Sequence, residues 1–496
     1  MMQEFYDKLL GKFKGSSRLF YSYFGEKYTY GDCFRNMKKI HAHLSSFHQK
    51  KVALYGSKSF SVYSAIYSIV LSNNIWVPLS PELPTDRILA MLDVLKPDVL
   101  IVEDTLGPEM SAYLQARKIS TISLKAMLNQ DKEKDFGTVR FQKDEWAYIM
   151  FTSGSTGVPK GVPMTHENYI NFINNALEIL PFEEGEVFSD YHDFAFDISI
   201  FYLFCAPLTE SAIAPIKKKE EKIFPLNHMQ ENRVTVWSSV PSVLASLQRF
   251  RPDEVLPNHL KVMFICGEPF KLDLLDYCYK FLQAQNVYNF YGLTETGVEN
   301  FYHPCSPNDL TRFQEKGFVP VGRPLKGNFI YVSEEKELLV SGCQITPDYL
   351  GGLGQDRFVE IKGQRWFRTG DIVEAFEDVY FCKGRLDSQV KVSGHRIELM
   401  DIEVHIRQHE DIKESVCFVD SERAVPRIIC AIEPKAGREA NTAHLALWLK
   451  DRLAEYMIPK IFFKLSPLPV NNNGKIDRKA ISQTYFAKNK VQDVPS

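Results

Sequence analysis

The 496-residue chain carries 59 basic and 62 acidic side chains, a formal charge of −3, with 45% hydrophobic and 24% charged residues. That balance suits a soluble globular protein of two or more domains and gives no electrostatic case for nucleic acid as the main partner. Nine cysteines, scattered from Cys33 to Cys430 without a Cys-x-x-Cys pair, argue against zinc sites and a disulfide framework and favour a reducing compartment.

Taken in chain order, the amino end lacks the apolar core of a signal peptide. Val52-Ala-Leu-Tyr reads as a buried strand, Phe60 to Leu71 as a helix, and Asp98 to Val102 as a further strand. The polar stretch 128–138 reads as an exposed connector. The apolar runs near 64–71 and 194–208 are too short to span a bilayer, so no membrane insertion is expected and a cytoplasmic location is. The charged run Lys217 to Lys222 fits a solvated loop or helix end better than a binding patch. Val262 to Ile265 is another strand. The β-then-α rhythm predicts an α/β fold of layered, mainly parallel sheets. From about 318, short alternating segments and frequent glycines predict a β-rich subdomain, and after Gly384 the pattern becomes that of a small α+β domain. The expected division is 1–384 and 385–496.

One segment concentrates the chemistry. After the apolar stretch Trp146 to Phe151 come Thr152, Ser153, Gly154, Ser155, Thr156, Gly157, Val158, Pro159, Lys160 and Gly161. Glycines let backbone N–H groups turn onto an anion, hydroxyls add donors, and Lys160 brings a full charge, a combination suited to polyphosphate. It is not a Walker A loop, because Pro159 precedes the lysine and Gly161 follows it. Composition alone leaves a flexible surface turn as an equal alternative. The full string resembles the phosphate-binding signature of the adenylate-forming superfamily of acyl-CoA synthetases, luciferases and nonribosomal peptide adenylation domains.

Further segments extend that resemblance over residues 140–485. Asn289-Phe290-Tyr291-Gly292-Leu293-Thr294-Glu295 places an aromatic face, a hydroxyl and a carboxylate close together, which suits a nucleotide and its magnesium. In the family this motif stacks adenine on Tyr291, faces the base with Asn289, meets the α-phosphate with Thr294 and binds Mg²⁺ through Glu295. Gly267-Glu268-Pro269 resembles the border of the adenine pocket. Asp371 in Arg368-Thr369-Gly370-Asp371 resembles the ribose-binding aspartate, and Gly384-Arg385-Leu386-Asp387 the segment whose arginine contacts ribose and whose aspartate is the hinge of a mobile small domain. Asn473-Gly474-Lys475 resembles the motif of the catalytic lysine, although alone it would pass for a basic surface turn. The cofactors implied are ATP and Mg²⁺.

Phe196-Asp197-Ile198-Ser199 bears on the acid that is activated. In amino-acid-activating members the aspartate of such a pattern binds the substrate ammonium; the alternative is that Asp197 caps the following helix. Offsets from the motifs assign Ile198, Phe201, Ser238, Phe264, Cys266, Phe290, Val298 and Glu299 to the rest of the pocket. Three phenylalanines favour a small side chain, whereas Glu299 would suit a polar or cationic one. Cys266 resembles the cysteine of D-alanine–carrier protein ligases. The chain ends 16 residues after Ala480 with no phosphopantetheine-site pattern, so the thiol acceptor is expected on a separate carrier protein. The resemblance implies a ligase that forms an aminoacyl adenylate; the alternatives are an acyl-CoA ligase of the same superfamily and a catalytically inactive nucleotide-binding scaffold.

Overall fold

The computed structural model describes residues 2–153, 157–250, 255–256, 259–352, 354–387, 389–421, 423, 425–470 and 476–490, of which 488–490 by backbone alone. It divides into two compact units. One comprises residues 1–81, 91–152 and 160–386; the other comprises 82–90, 153–159 and 387–496. Two short segments from the first half of the sequence therefore group with the C-terminal residues.

Two large sheets frame the first unit. The six-stranded sheet runs, edge to edge, Thr121–Ser123, Val99–Val102, Lys51–Tyr55, Ile75–Leu79, Trp146–Thr152 and Lys160–Thr165. Its neighbours are parallel except the last pair, which forms a hairpin with Thr152 opposite Lys160. The nine-stranded sheet has the order Arg323–Pro324, Phe301–Pro304, Asn286–Tyr291, Val262–Ile265, Val236–Ser239, Val187–Asp190, Ala212–Pro215, Leu19–Tyr23 and Glu26–Thr29. From Asn286–Tyr291 to Leu19–Tyr23 all neighbours are parallel.

The central strands are buried along nearly their whole length, as parallel sheets require. Val99–Val102 and Val262–Ile265 are buried throughout. The expected helix Phe60–Leu71 is buried on nearly every side and starts at Ser59, whose hydroxyl accepts from Val62 N–H. Thr165 and Asn168 form a reciprocal capping box on His166–Ile179, which fixes where the chain leaves the Lys160–Thr165 strand. The continuous core is rich in aromatic residues, Phe13, Tyr63, Trp76, Tyr148, Tyr169 and Phe204 among them.

The β-rich part expected from about 318 is a five-stranded antiparallel sheet. Asn328–Val332, Glu337–Gly342, Gln364–Phe376 and Phe358–Ile361 lie in that order, and Val379–Arg385 pairs with Gln364–Phe376. In that pairing Asp371 faces Arg385.

In the second unit, Ile412–Asp420, Arg427–Pro434 and Ile461–Lys464 form a three-stranded sheet, and Gln389–Val392 with His395–Glu398 a hairpin. Its core joins Ile397, Ile402, Ile406, Cys430 and Leu449, with Leu83 packed against them. Arg87 pairs with the fully buried Asp401 at 3.2 Å, which explains why the 82–90 segment belongs here. Arg478 grips Glu403 through both guanidinium nitrogens at 2.5 and 2.7 Å, and Glu403 Oε1 also accepts from Cys417 N–H. All nine cysteines are free thiols, and no described helix is long and apolar enough to cross a membrane.

Candidate active site

Parallel strands of one sheet end at a common edge, where open α/β sheets bind ligands. Asp190, Ser239, Ile265 and Tyr291 are the last residues of neighbouring strands at that edge. Most of the residues that sequence motifs single out lie on these ends or in the loops beyond them.

Tyr291 closes the Asn286–Tyr291 strand. Its hydroxyl donates to Asp371 Oδ2 at 2.5 Å, and Arg385 holds the other carboxylate oxygen at 2.7 Å while donating to Thr369 O. Asp371 and Arg385 are 3% and 11% exposed, so the pair is largely shielded from water. Burial and the Asp371 carboxylate both push the Tyr291 phenol well above its ordinary range, so it remains a donor. Asn289 donates its amide to Pro320 O at 2.8 Å, while its Oδ1 is buried with no hydrogen-bond partner among the described residues. A buried acceptor of this kind is costly unless a ligand donor meets it.

A second group lies around Glu295, in the short turn after Tyr291. The Tyr349 hydroxyl donates to Glu295 Oε1 at 2.8 Å, and Lys160 Nζ lies 5.6 Å above the Tyr349 ring. Thr346 N–H donates to Glu295 O and its hydroxyl to Pro163 O, tying the turn to the strand that begins at Lys160. Sequence motifs flag Lys160 and Glu295 but miss Tyr349; the only signal is one aromatic residue in a glycine-rich stretch. Glu295 is 2% exposed, and its neighbour Thr294 is half-buried. An oxygen-only donor set with one carboxylate suits Mg²⁺, which takes few protein ligands and completes its shell with phosphate oxygens. On that chemistry the residues fit the ion.

The remaining nucleotide-motif residues are partly visible. Gly267 has a left-handed backbone (φ +82°), and Glu268 Oε2 accepts from Ser242 N–H at the start of the Pro241–Phe250 helix. In the second unit the Ser153 hydroxyl donates to Arg396 O and accepts from Glu398 N–H, while Asp387 Oδ1 accepts from Gln389 N–H. Gly154, Ser155, Thr156 and Lys475 lie outside the described residues.

The expected substrate pocket gathers on the same edge. Ser238 is the register partner of Phe264. Phe264 stacks on Phe290 at 4.0 Å and 8°, and packs against Phe201 at 4.4 Å. Ile198, Cys266 and Val298 belong to the same buried cluster. Ser238 Oγ is buried without a partner among the described residues, and Glu299 is 5% exposed.

Asp197 is half-buried at the head of the Ser199–Leu208 helix. The cap position of that helix is Ile198 and has no side-chain cap hydrogen bond; Asp197 contributes its backbone carbonyl, which accepts from Ile200 N–H. Burial raises the Tyr148 phenol far above its usual range, with the Asp197 charge adding to the effect.

Comparisons with known proteins bear on the family and the fold. Residues 12–350 match the family model described as AMP-binding enzyme. Bacitracin synthase 1 of Bacillus licheniformis is 30% identical over 456 residues, covering 87% of this chain and 8% of that protein. The chain thus spans a small fraction of that relative's length. Among solved structures, the Vibrio cholerae adenylation domain AlmE in complex with glycyl-adenosine-5'-phosphate superposes with a TM-score of 0.83 at 23% identity, covering 98% of each chain. The o-succinylbenzoate CoA synthetase of Bacillus subtilis superposes with a TM-score of 0.81 at 20% identity, covering 96% of this chain and 98% of that one. A fold shared by an amino acid adenylation domain and a CoA synthetase does not choose between their substrates. With a family model spanning well over half the sequence, this chain belongs to the AMP-binding enzyme family of adenylate-forming ligases.

Proposed function

We propose that the protein joins a small amino acid to AMP, releasing pyrophosphate, and then passes the aminoacyl group to the phosphopantetheine thiol of a separate carrier protein. The observation that carries the amino acid reading is Asp197, a half-buried carboxylate at the head of the helix that contributes Phe201 to a ring cluster with Phe264 and Phe290. An α-ammonium would neutralise it, and the stacked rings leave room for little side chain. In this reading Ile198, Ser238, Cys266, Val298 and Glu299 complete the pocket.

The reaction follows from charge. The substrate carboxylate oxygen attacks the α-phosphorus of ATP; a C–O–P linkage forms, the α–β P–O bond breaks and pyrophosphate leaves. No side-chain base is needed, because the acid is already ionised. Two anions must be brought together, so the work falls to fixed positive charge and donors. Lys160 and the 152–157 loop would hold the β- and γ-phosphates, Thr294 would meet the α-phosphate, and Lys475 would stabilise the transition state. Glu295 would hold Mg²⁺, which when bound neutralises phosphate oxygens. Asp371 and Arg385 would take the ribose hydroxyls, with Tyr291, Asn289 and the backbone of Gly292 and Gly267 to Pro269 around the base. In the second step the carrier thiolate attacks the acyl carbon, the acyl–phosphate bond breaks and AMP departs. A small-domain movement about Asp387 between the two steps would gate them without taking part in bond making.

The deciding experiment is pyrophosphate exchange with glycine, L-alanine, D-alanine and β-alanine set against fatty and aryl acids. Exchange with one of the amino acids alone is the expected result. Exchange with fatty or aryl acids alone would assign the chain to the acyl-CoA ligases, and ATP binding without exchange on any acid would make it a nucleotide-binding scaffold.

A further inference from the structure

Lys58 carries a charge that no step above uses, and its side chain is only 7% exposed. Its Nζ lies 2.7 Å from Asp190 Oδ1 and 2.9 Å from Asp190 O, and Asp190 is fully buried. The Tyr63 hydroxyl donates to the other carboxylate oxygen of Asp190, and Tyr21 donates to Lys58 O. Burial drives both groups toward neutrality, Lys58 downward and Asp190 upward, with their mutual attraction offsetting part of each shift. His228, nearby, is pushed down to about 4, chiefly by burial, and so adds no charge at neutral pH.

Burying an ion pair costs several kcal/mol per ion, and well-packed apolar residues usually stabilise a fold as well or better. The position of this pair suggests another use. Asp190 ends its strand at the ligand edge, and the seven residues that follow, 191–197, lead to Asp197. That loop is fastened along its length. Ser80 donates to Asp193 Oδ2 at 2.9 Å, Asp193 Oδ1 accepts from Ala195 N–H, and Tyr202 donates to His192 O at 2.7 Å. Phe194 packs edge-on against Tyr63, the same residue that bonds Asp190.

We propose that Lys58 and Asp190 are positioning residues for amino acid binding: the pair fixes the root of the 191–197 loop and thereby the place of the Asp197 carboxylate. The proposal rests on the amino acid reading above. Lys58 also attracts Asp193 electrostatically, so one cation answers the buried Asp190 and the half-buried Asp193 of the loop.

The test is pyrophosphate exchange at saturating ATP with glycine, L-alanine, D-alanine and β-alanine each titrated, then at saturating amino acid with ATP titrated. Lys58→Met is expected to raise the amino acid KM about tenfold while the ATP KM changes less than about twofold. Lys58→Arg should recover most of the loss. In an Asp197→Ala background the same Lys58→Met change should add less than about threefold, since both act through one carboxylate. The double variant Lys58→Met/Asp190→Leu guards against a general folding defect, because it replaces the pair with apolar volume. If that variant melts like the wild type and keeps the wild-type amino acid KM, the proposal is overturned. It is equally overturned if both KM values rise together, or if the Lys58 and Asp197 effects multiply in full. Wild-type exchange with fatty or aryl acids only would remove the amino acid reading itself, and is recognised before any variant is made.

Discussion

The proposed nucleotide corner and the aromatic wall are neighbours built on opposite principles. The corner consists of directed contacts: Tyr291 and Arg385 on Asp371, and Tyr349 between Lys160 and Glu295. The wall consists of packed rings, Phe201 on Phe264 on Phe290, whose individual contacts are weak and whose collective volume sets what fits. The first kind of site demands particular residues at particular spacings. The second tolerates many solutions of similar volume. In the proposed reading, chemistry common to the superfamily sits in the corner, and choice of acid sits in the wall.

The largest expected effect probes the charged side. Lys475→Ala should lower the rate of adenylate formation by about 10²–10³-fold yet still transfer a pre-made adenylate to a carrier thiol. Single-turnover assays of each half-reaction check this, and equal loss of both would erase the division of labour. At the boundary between the two regions, Asp197→Ala should weaken amino acid binding by about 30-fold or more, the cost of a buried charge left unpaired, while ATP affinity stays near normal. Calorimetric titration with each ligand decides it, and an unchanged amino acid affinity would return Asp197 to a structural role.

Within the corner, Tyr349→Phe removes one hydrogen bond to a carboxylate and leaves the ring beneath Lys160. A loss of about tenfold in kcat/KM is expected, with a higher Mg²⁺ requirement in exchange assays. An unaltered Mg²⁺ dependence would separate Glu295 from the metal. The smallest effect belongs to the wall: Phe264→Leu should shift preference toward larger amino acids by up to about tenfold, with ATP KM unchanged. If instead ATP KM moves and preference does not, the comparison between the two regions breaks down.

Much of the fold is legible in the sequence, because periodicity and turn residues are local. The helix Phe60–Leu71 and the strands around 52, 99 and 262 lie where the pattern puts them. What escapes a sequence reading is set by long-range pairing. Segments 82–90 and 153–159 join the second unit through contacts such as Arg87 with Asp401, 314 residues apart. Lys58 and Asp190 meet across 132 residues, and no motif marks either. Tyr349 escapes for the same reason. Within motifs, residue types announce the chemistry, but hydrogen-bond partners do not follow from them. Glu268, expected to border the adenine pocket, accepts from Ser242 N–H at a helix start, a duty only the fold reveals.

Gly292 has a consequence for redesign. A Cβ there would lie 2.2 Å from Val298 O and 2.4 Å from Glu299 Cα, so the chain doubles back on itself with no slack. Gln344 pins the returning limb by donating to Gly297 O and Glu299 O at 2.8 Å each. Val298 and Glu299 are thus bolted to the back of the turn that presents Tyr291 and Glu295. Attempts to retune selectivity at 298 or 299 should disturb nucleotide handling as a side effect, whereas changes at 201 or 264 should not. An engineer seeking new acids from this scaffold would do better to start from the helix and the strand than from the loop.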